Sequence, residues 1–227
     1  MAGKLSVVAT PIGNLEDITL RALRILKEAD VVACEDTRVT KKLLSHYDIH
    51  TPTVSFHANS GPKGFEKMLK LLEEGKHVAL VSDAGTPGLF DPGAMLVTLV
   101  REQFGTDVKI ETIAGASAVA AAIAIAGLKA PTFTFYGFLP LKKGRKTLLE
   151  EIAKSERASM LFESTHRIIK MLEAFETLVP LRRIGLYREL TKMYEEAIIG
   201  TPQEILAILR DDPQKQRGEF VVIVEAA

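Results

Sequence analysis

Short apolar runs alternate with segments in which apolar residues recur every three or four positions, and the alternation persists almost from end to end. Residues 5–10 form the first apolar run and predict a strand. Over 17–29, Ile18, Ala22, Ile25, Leu26 and Ala29 recur at the helical period. Val31, Val32, Ala33 and Cys34 predict a buried strand, 38–46 a helix with Leu43 and Leu44 inward, and 53–56 a short strand after Pro52. Residues 65–74 predict a helix with Phe65, Met68, Leu69 and Leu72 on one face, stopped by Gly75. A strand at 77–82, a helix at 94–104 and a strand at 108–112 follow. Continuous apolar strands joined by helices imply a mostly parallel sheet covered on both faces.

Around Gly115 the chain turns to small residues and the order changes. Strands at 132–138 and 158–163 alternate with helices at 146–154 and 165–177. Segments 183–189 and 192–199 are close enough to pair antiparallel, and a helix at 202–209 and a strand at 219–225 complete the chain. The expectation is an α/β protein of two domains, 1–114 with a mostly parallel sheet and 115–227 with a mixed one. The Ala- and Ile-rich run 113–128 is shorter than the roughly 20 residues a membrane span needs. Lys129 and Pro131 follow it, so it reads as a buried core helix, and no membrane association is expected. Met1-Ala2-Gly3-Lys4 leads straight into the first strand without the pattern of a secretory leader.

Composition narrows the chemistry. Of 227 residues, 47% are apolar, and Lys plus Arg equals Asp plus Glu at 29 each, so the net charge is zero. A nucleic-acid partner would have to be met by a local basic patch. The single cysteine, Cys34, allows no intramolecular disulfide and suits a reducing cytoplasm. His46, His50 and His77 read as surface or loop residues, and no spacing of His, Cys and acids suggests a metal. Neither a dinucleotide fingerprint, a phosphate loop nor a nucleophile elbow is present.

Five polar motifs stand at or near strand ends, where open α/β sheets bind ligands. Thr10-Pro11-Ile12-Gly13-Asn14 follows the first strand. Ser82-Asp83-Ala84-Gly85-Thr86-Pro87-Gly88, continued by Asp91-Pro92-Gly93, makes a preset backbone with little side-chain bulk. Ala114-Gly115-Ala116-Ser117-Ala118 opens a helix whose free amides can hold a polar ligand. Glu163-Ser164-Thr165-His166-Arg167 and Tyr187-Arg188-Glu189-Leu190-Thr191-Lys192 mix acids, bases and hydroxyls. Separately, Lys142, Lys143, Arg145 and Lys146 crowd a Gly-containing segment read as an exposed loop able to hold phosphates.

Taken together, the run from Ala9 to Ala22, Glu35-Asp36-Thr37-Arg38, the Asp83 loop, Gly137-Phe138-Leu139-Pro140, the Arg188 motif and Arg217-Gly218-Glu219 resemble the tetrapyrrole-methylase superfamily. Within it they resemble the branch that methylates small-subunit ribosomal RNA. The resemblance spans essentially the whole chain. It departs where Ala114 and Ala116 stand in place of common prolines and where Thr165 replaces another; a small C-terminal extension common in the branch is not seen.

The resemblance implies two α/β domains with S-adenosylmethionine in a cleft between them, a homodimer, and methylation of a cytidine 2′-hydroxyl in 16S ribosomal RNA, within the small ribosomal subunit. Pro11, Gly13, Asp83, Gly85, Thr86, Pro87, Gly88, Ser117, Ala118 and Phe162 are then expected at the cofactor. Glu163, His166 or Glu189 is expected to accept the ribose proton. Glu35, Asp36, Arg38, Lys142, Lys143, Arg145, Lys146, Arg167 and Arg188 are expected on the RNA side. Two readings compete: a methyltransferase of this fold acting on a tetrapyrrole precursor, and a non-catalytic RNA- or cofactor-binding module.

Overall fold

The computed structural model describes residues 3–57, 61–128 and 132–227. The chain forms two compact units, one running to Ser117 and the other from Ala118 to Ala227.

The first unit contains β1 (Lys4–Val8), α1 (Leu20–Glu28), β2 (Val31–Cys34), α2 (Thr37–His46), β3 (Thr53–Ser55), α3 (Gly61–Glu73), β4 (His77–Leu80), α4 (Gly93–Phe104) and β5 (Lys109–Ile113). Its sheet is parallel throughout, in the order β3-β2-β4-β1-β5. Side chains alternate between two cores, as the strand period of two requires. Val32 and Cys34 pack with Ala22, Ile25, Leu26 and Leu44 of α1 and α2. Val31 and Ala33 pack on the other face with Met68, Leu72, Leu96 and Val100 of α3 and α4.

The second unit contains α5 (Ala118–Ala126), β6 (Phe133–Phe138), α6 (Arg145–Lys154), β7 (Ala158–Ser164), α7 (Ile168–Leu178), β8 (Ile184–Arg188), β9 (Glu196–Gly200), α8 (Pro202–Asp211) and β10 (Glu219–Val224). Its sheet order is β6-β7-β10-β8-β9, with only the β6–β7 pair parallel. Leu161, Leu186 and Val222 of the sheet share one core with Ile152, Met171, Phe175 and Leu206 of α6, α7 and α8.

Local chemistry explains several departures from the sequence pattern. The helix expected from residue 17 begins at Leu20, because the Thr19 hydroxyl caps the Ala22 amide at 3.1 Å. Leu15–Asp17 is a separate 3-10 turn capped by Asn14. Residues 165–167 form a turn, so α7 starts at Ile168. The expected core helix at 113–128 is α5, but of its residues only Ala122 is buried and Ile125 is 47% exposed. Alanine carries too little apolar contrast to separate a core face from a surface one. Lys129 and Pro131, read as its end, lie outside the described residues, as do Met1 and Ala2. His77 opens β4 rather than lying in a loop. Among the described residues no helix is long and apolar enough to cross a membrane.

Candidate functional site

In the first unit, the loops after β1 and β4 are stitched together. Thr10 and Gly85 form an isolated antiparallel bridge, amide to carbonyl in both directions at 2.9 and 3.0 Å. The buried Thr10 hydroxyl donates to the Ser82 carbonyl at 3.2 Å. Gly85 has φ +80°, and a Cβ there would stand 3.1 Å from Ile12 Cγ2. Conformation excludes a side chain first and space second. Thr86 Oγ1 donates to the Ala116 carbonyl at 3.1 Å, drawing in the segment that carries Ser117.

Asp91 closes the loop. Its carboxylate accepts the Gly88 amide at 2.6 Å and the Gly93 amide at 2.7 Å. Thr10 and Asp91 stand within the sequence motifs but not among the residues expected at the cofactor; the signal for Asp91 is its place before Pro92-Gly93, where an acid caps a turn. Pro11 and Pro87 are buried, Thr86 and Ser117 half-buried, Gly13 and Gly88 exposed. Gly88, at φ +95°, has open space where a Cβ would stand. At exposed Gly88 a ligand can approach the backbone without meeting side-chain bulk, which fits a flat, polar-edged ligand such as an adenosyl group.

Carboxylates gather beside this loop. Asp83 is exposed, and its Oδ1 accepts the Asp36 amide at 3.0 Å. Burial, with Asp83 and Asp91 nearby, pushes the Glu35 carboxyl above its ordinary pKa. The Arg38 guanidinium, 2.7 Å from Asp36, holds that carboxyl down at about 2.

In the second unit, the start of β10 joins two motifs. Thr165 Oγ1 exchanges hydrogen bonds with the Gly218 amide and carbonyl, both at 2.9 Å. Glu189 Oε1 accepts the Glu219 amide at 2.9 Å and pairs with Lys192 Nζ at 2.9 Å. A Cβ on Gly218, at φ +112°, would stand 2.6 Å from Glu189 Cγ. Burial alone would raise the Glu189 pKa, but the Glu219 amide and the Lys192 ammonium bring it below the ordinary carboxylate value. Glu189 and Thr191 both hold positive φ, at +51° and +65°, which for such residues marks a stressed, over-determined turn.

The remaining candidates separate by their partners. The Glu163 side chain has no exposed surface; Arg145 Nη2 lies 2.8 Å and Arg167 Nε 2.7 Å from its oxygens. A carboxylate sealed in this way has no open face for a ribose proton. Arg145, expected in a free basic loop, lies in the first turn of α6 and is held by Glu163; Lys146 is also helical, and only Lys142 and Lys143 remain on the exposed turn. Arg167 also donates to the Leu139 carbonyl at 2.9 Å. Arg188 is buried and donates to the carbonyls of Arg217, Tyr194 and Gln214 at 2.6, 3.1 and 3.2 Å. These three guanidiniums hold the structure and are not offered to phosphate. His166 is exposed on the turn after β7. Phe162 is half-buried, with its ring edge-on to Phe135 at 5.0 Å. Ala118 is the first residue of α5.

Residues 4–206 match the family model described as Tetrapyrrole (Corrin/Porphyrin) Methylases. The chain is 44% identical over 228 residues to ribosomal RNA small subunit methyltransferase I of Neisseria meningitidis serogroup B, covering 100% of this chain and 77% of that protein. It is 40% identical over 222 residues to the protein of the same name from Thermotoga maritima, covering 98% of each. Among solved structures it is similar to a cobalt precorrin-4 methyltransferase, with a TM-score of 0.70 and 22% identity over 98% of this chain and 94% of that one. A uroporphyrin-III-C-methyltransferase from Thermus thermophilus gives 0.67 and 20% over the same shares, 98% and 94%. At such identities the structural likeness concerns the fold.

Proposed function

The chain belongs to the tetrapyrrole (corrin/porphyrin) methylase family, and from that premise we propose that it transfers a methyl group from S-adenosylmethionine to the 2′-hydroxyl of a cytidine in 16S ribosomal RNA. The observation that carries the reading is the 40% identity extending over 98% of both chains to a ribosomal RNA methyltransferase, about twice the identity to the solved tetrapyrrole enzymes. The fold serves both acceptor classes, so sequence likeness over the full length decides between them.

S-adenosylmethionine supplies an electrophilic methyl on a cationic sulfur. The residues that fit it are the bridged loops of the first unit: the backbone of 83–88, with Pro11, Gly13, Thr86 and Ser117. Asp83 suits its positive charge, and so do Glu35 and Asp36, which the resemblance puts on the RNA side but which stand beside Asp83 here. Positioning is the main contribution of such a site. Holding acceptor and donor in line can lower a barrier by roughly 7–11 kcal/mol in favourable cases.

The ribose hydroxyl must also lose its proton. His166 is the candidate with an open face, whereas Glu163 is sealed and Glu189 is tied to Lys192 and the Glu219 amide. We read His166 as the proton acceptor, Glu163 as the residue that fixes the strand end before it, and the assembly as a homodimer acting on the small subunit in the cytoplasm. Mass spectrometry of ribosomal RNA from a strain lacking the gene tests this. Loss of one 2′-O-methylcytidine, regained when the gene is restored, is expected; unchanged RNA with an altered tetrapyrrole pool would overturn the acceptor.

A further inference from the structure

The outer face of α2 carries charge in a pattern the chemistry above does not use. Arg38, Lys41, Lys42, Ser45 and His46 are all exposed and recur at helical spacing, opposite buried Thr40 and Leu44. They make one polar stripe about 12 Å long at 1.5 Å per residue. No acid lies within Thr37–His46. Among the described residues the carboxylate engaged with the stripe is the cap, Asp36, paired with Arg38. Among the same residues Lys41 and Lys42 make no ion pair, although the chain has as many acids as bases. In α3, by contrast, Lys70 faces Glu74 at 3.9 Å.

The helix is anchored at both ends. Its cap, Asp36, is tied to Asp83 of the candidate cofactor loop at 3.0 Å. Just past its other end, Tyr47 Oη donates to the Leu15 carbonyl at 2.6 Å. Beside the stripe runs a groove of about 330 Å³, lined by Lys41, Ser45, His50 and Thr51 over buried Leu44 and Ile49. That size stands at the lower end of small-molecule sites, enough for one base or sugar. Asp48 stands near it, 3.0 Å from His50.

We propose that the Arg38–Lys41–Lys42–His46 face of α2 and the groove beside it carry the phosphate backbone of the RNA substrate, with Lys41 shared between phosphate and groove. The inference rests on the RNA-methylating reading and names the surface that serves it. Exposed Lys41 and Lys42, flanked by Arg38 and by the polar Ser45 and His46 and standing beside a groove over Leu44 and Ile49, match a single-stranded RNA, whose phosphates supply the charge and whose bases supply flat apolar faces. The acids at the cap repel phosphate and so bound the surface on the side of the cofactor loop.

The test compares K41Q/K42Q with K63Q/K67Q, a control pair of exposed lysines on α3. Binding of a 16S RNA transcript and methyl transfer to it are followed across a salt series. For K41Q/K42Q the expected result is a roughly tenfold rise in Kd and KM, and a salt slope reduced by roughly 1.4, or about 0.7 for each phosphate no longer neutralised. Its kcat at saturating RNA and its affinity for S-adenosylmethionine should not change, and the control pair should match the wild type. Unchanged Kd and slope in K41Q/K42Q, or an equal weakening in the control pair, would overturn the surface. RNA binding that depends on Lys41 and Lys42, with no methyl transfer by the wild type, would support the surface and overturn the functional reading instead.

Discussion

Glu163 shows what a single side chain does here and what the sequence concealed about it. An acid at a strand end reads as a proton acceptor, but Arg145, eighteen positions upstream, folds onto it from α6, and Arg167 reaches it from the turn before α7. That closure depends on how the β6–α6 connection packs, which no local pattern carries. Glu163→Gln keeps the shape and removes the charge, leaving two mostly buried guanidiniums uncompensated. Breaking a buried pair costs about 3–5 kcal/mol; since both arginines keep some solvent contact, a loss of about 3 kcal/mol in urea unfolding is expected. Gly85 makes the complementary case, because its need for a backbone without a side chain was legible from the sequence. Gly85→Val should weaken S-adenosylmethionine binding by roughly tenfold or more in titration calorimetry, since the residue needs φ +80° and the branched side chain meets Ile12. Unaltered affinity would remove this loop from the site.

Elements were legible where apolar contrast was strong. The continuous apolar runs of β2 and β4 and the helical period in α1 and α3 marked these segments, because burial leaves its imprint on residue choice. Boundaries were less legible, being set by single hydrogen bonds such as the Thr19 cap. The orientation of α5 was not legible at all. A polar element-to-element tie also escaped the sequence: Ser6 of β1 donates to Glu111 of β5 at 2.8 Å and meets His77 of β4 at 2.8 Å. Since Ser6 gives its proton to Glu111, His77 Nε2 must be the donor to Ser6. Burial would raise the Glu111 pKa, yet the Ser6 hydroxyl and Lys4 bring it from 4.5 to about 2. A carboxyl depressed in the folded state stabilises it fully above the unfolded value. Its contribution should fade as pH falls from about 4.5 through 2. Glu111→Gln should therefore be less stable than the wild type at neutral pH and converge on it near pH 2; parallel pH–stability curves would refute the linkage.

At the scale of the whole molecule, a chain of zero net charge is assigned to a polyanionic substrate. Local placement resolves this: acids gather around the candidate cofactor loop, exposed lysines line α2, and arginines such as Arg188 turn inward as structural ties. His166→Asn should lower kcat by roughly 10²–10⁴-fold, the range for a general base, with RNA and cofactor affinities retained. Equal kcat would return the proton to solvent or to Glu189. The methyl transfer itself is open to one direct measurement. Purified protein is incubated with methyl-labelled S-adenosylmethionine and 16S ribosomal RNA or small subunits, and the RNA is hydrolysed in alkali. A 2′-O-methyl group blocks cleavage at its own nucleotide, so the label should appear in an alkali-resistant dinucleotide whose 5′ member is cytidine. Label in a mononucleotide, marking a methylated base, or label accepted only by a tetrapyrrole precursor, would contradict ribose methylation by this protein.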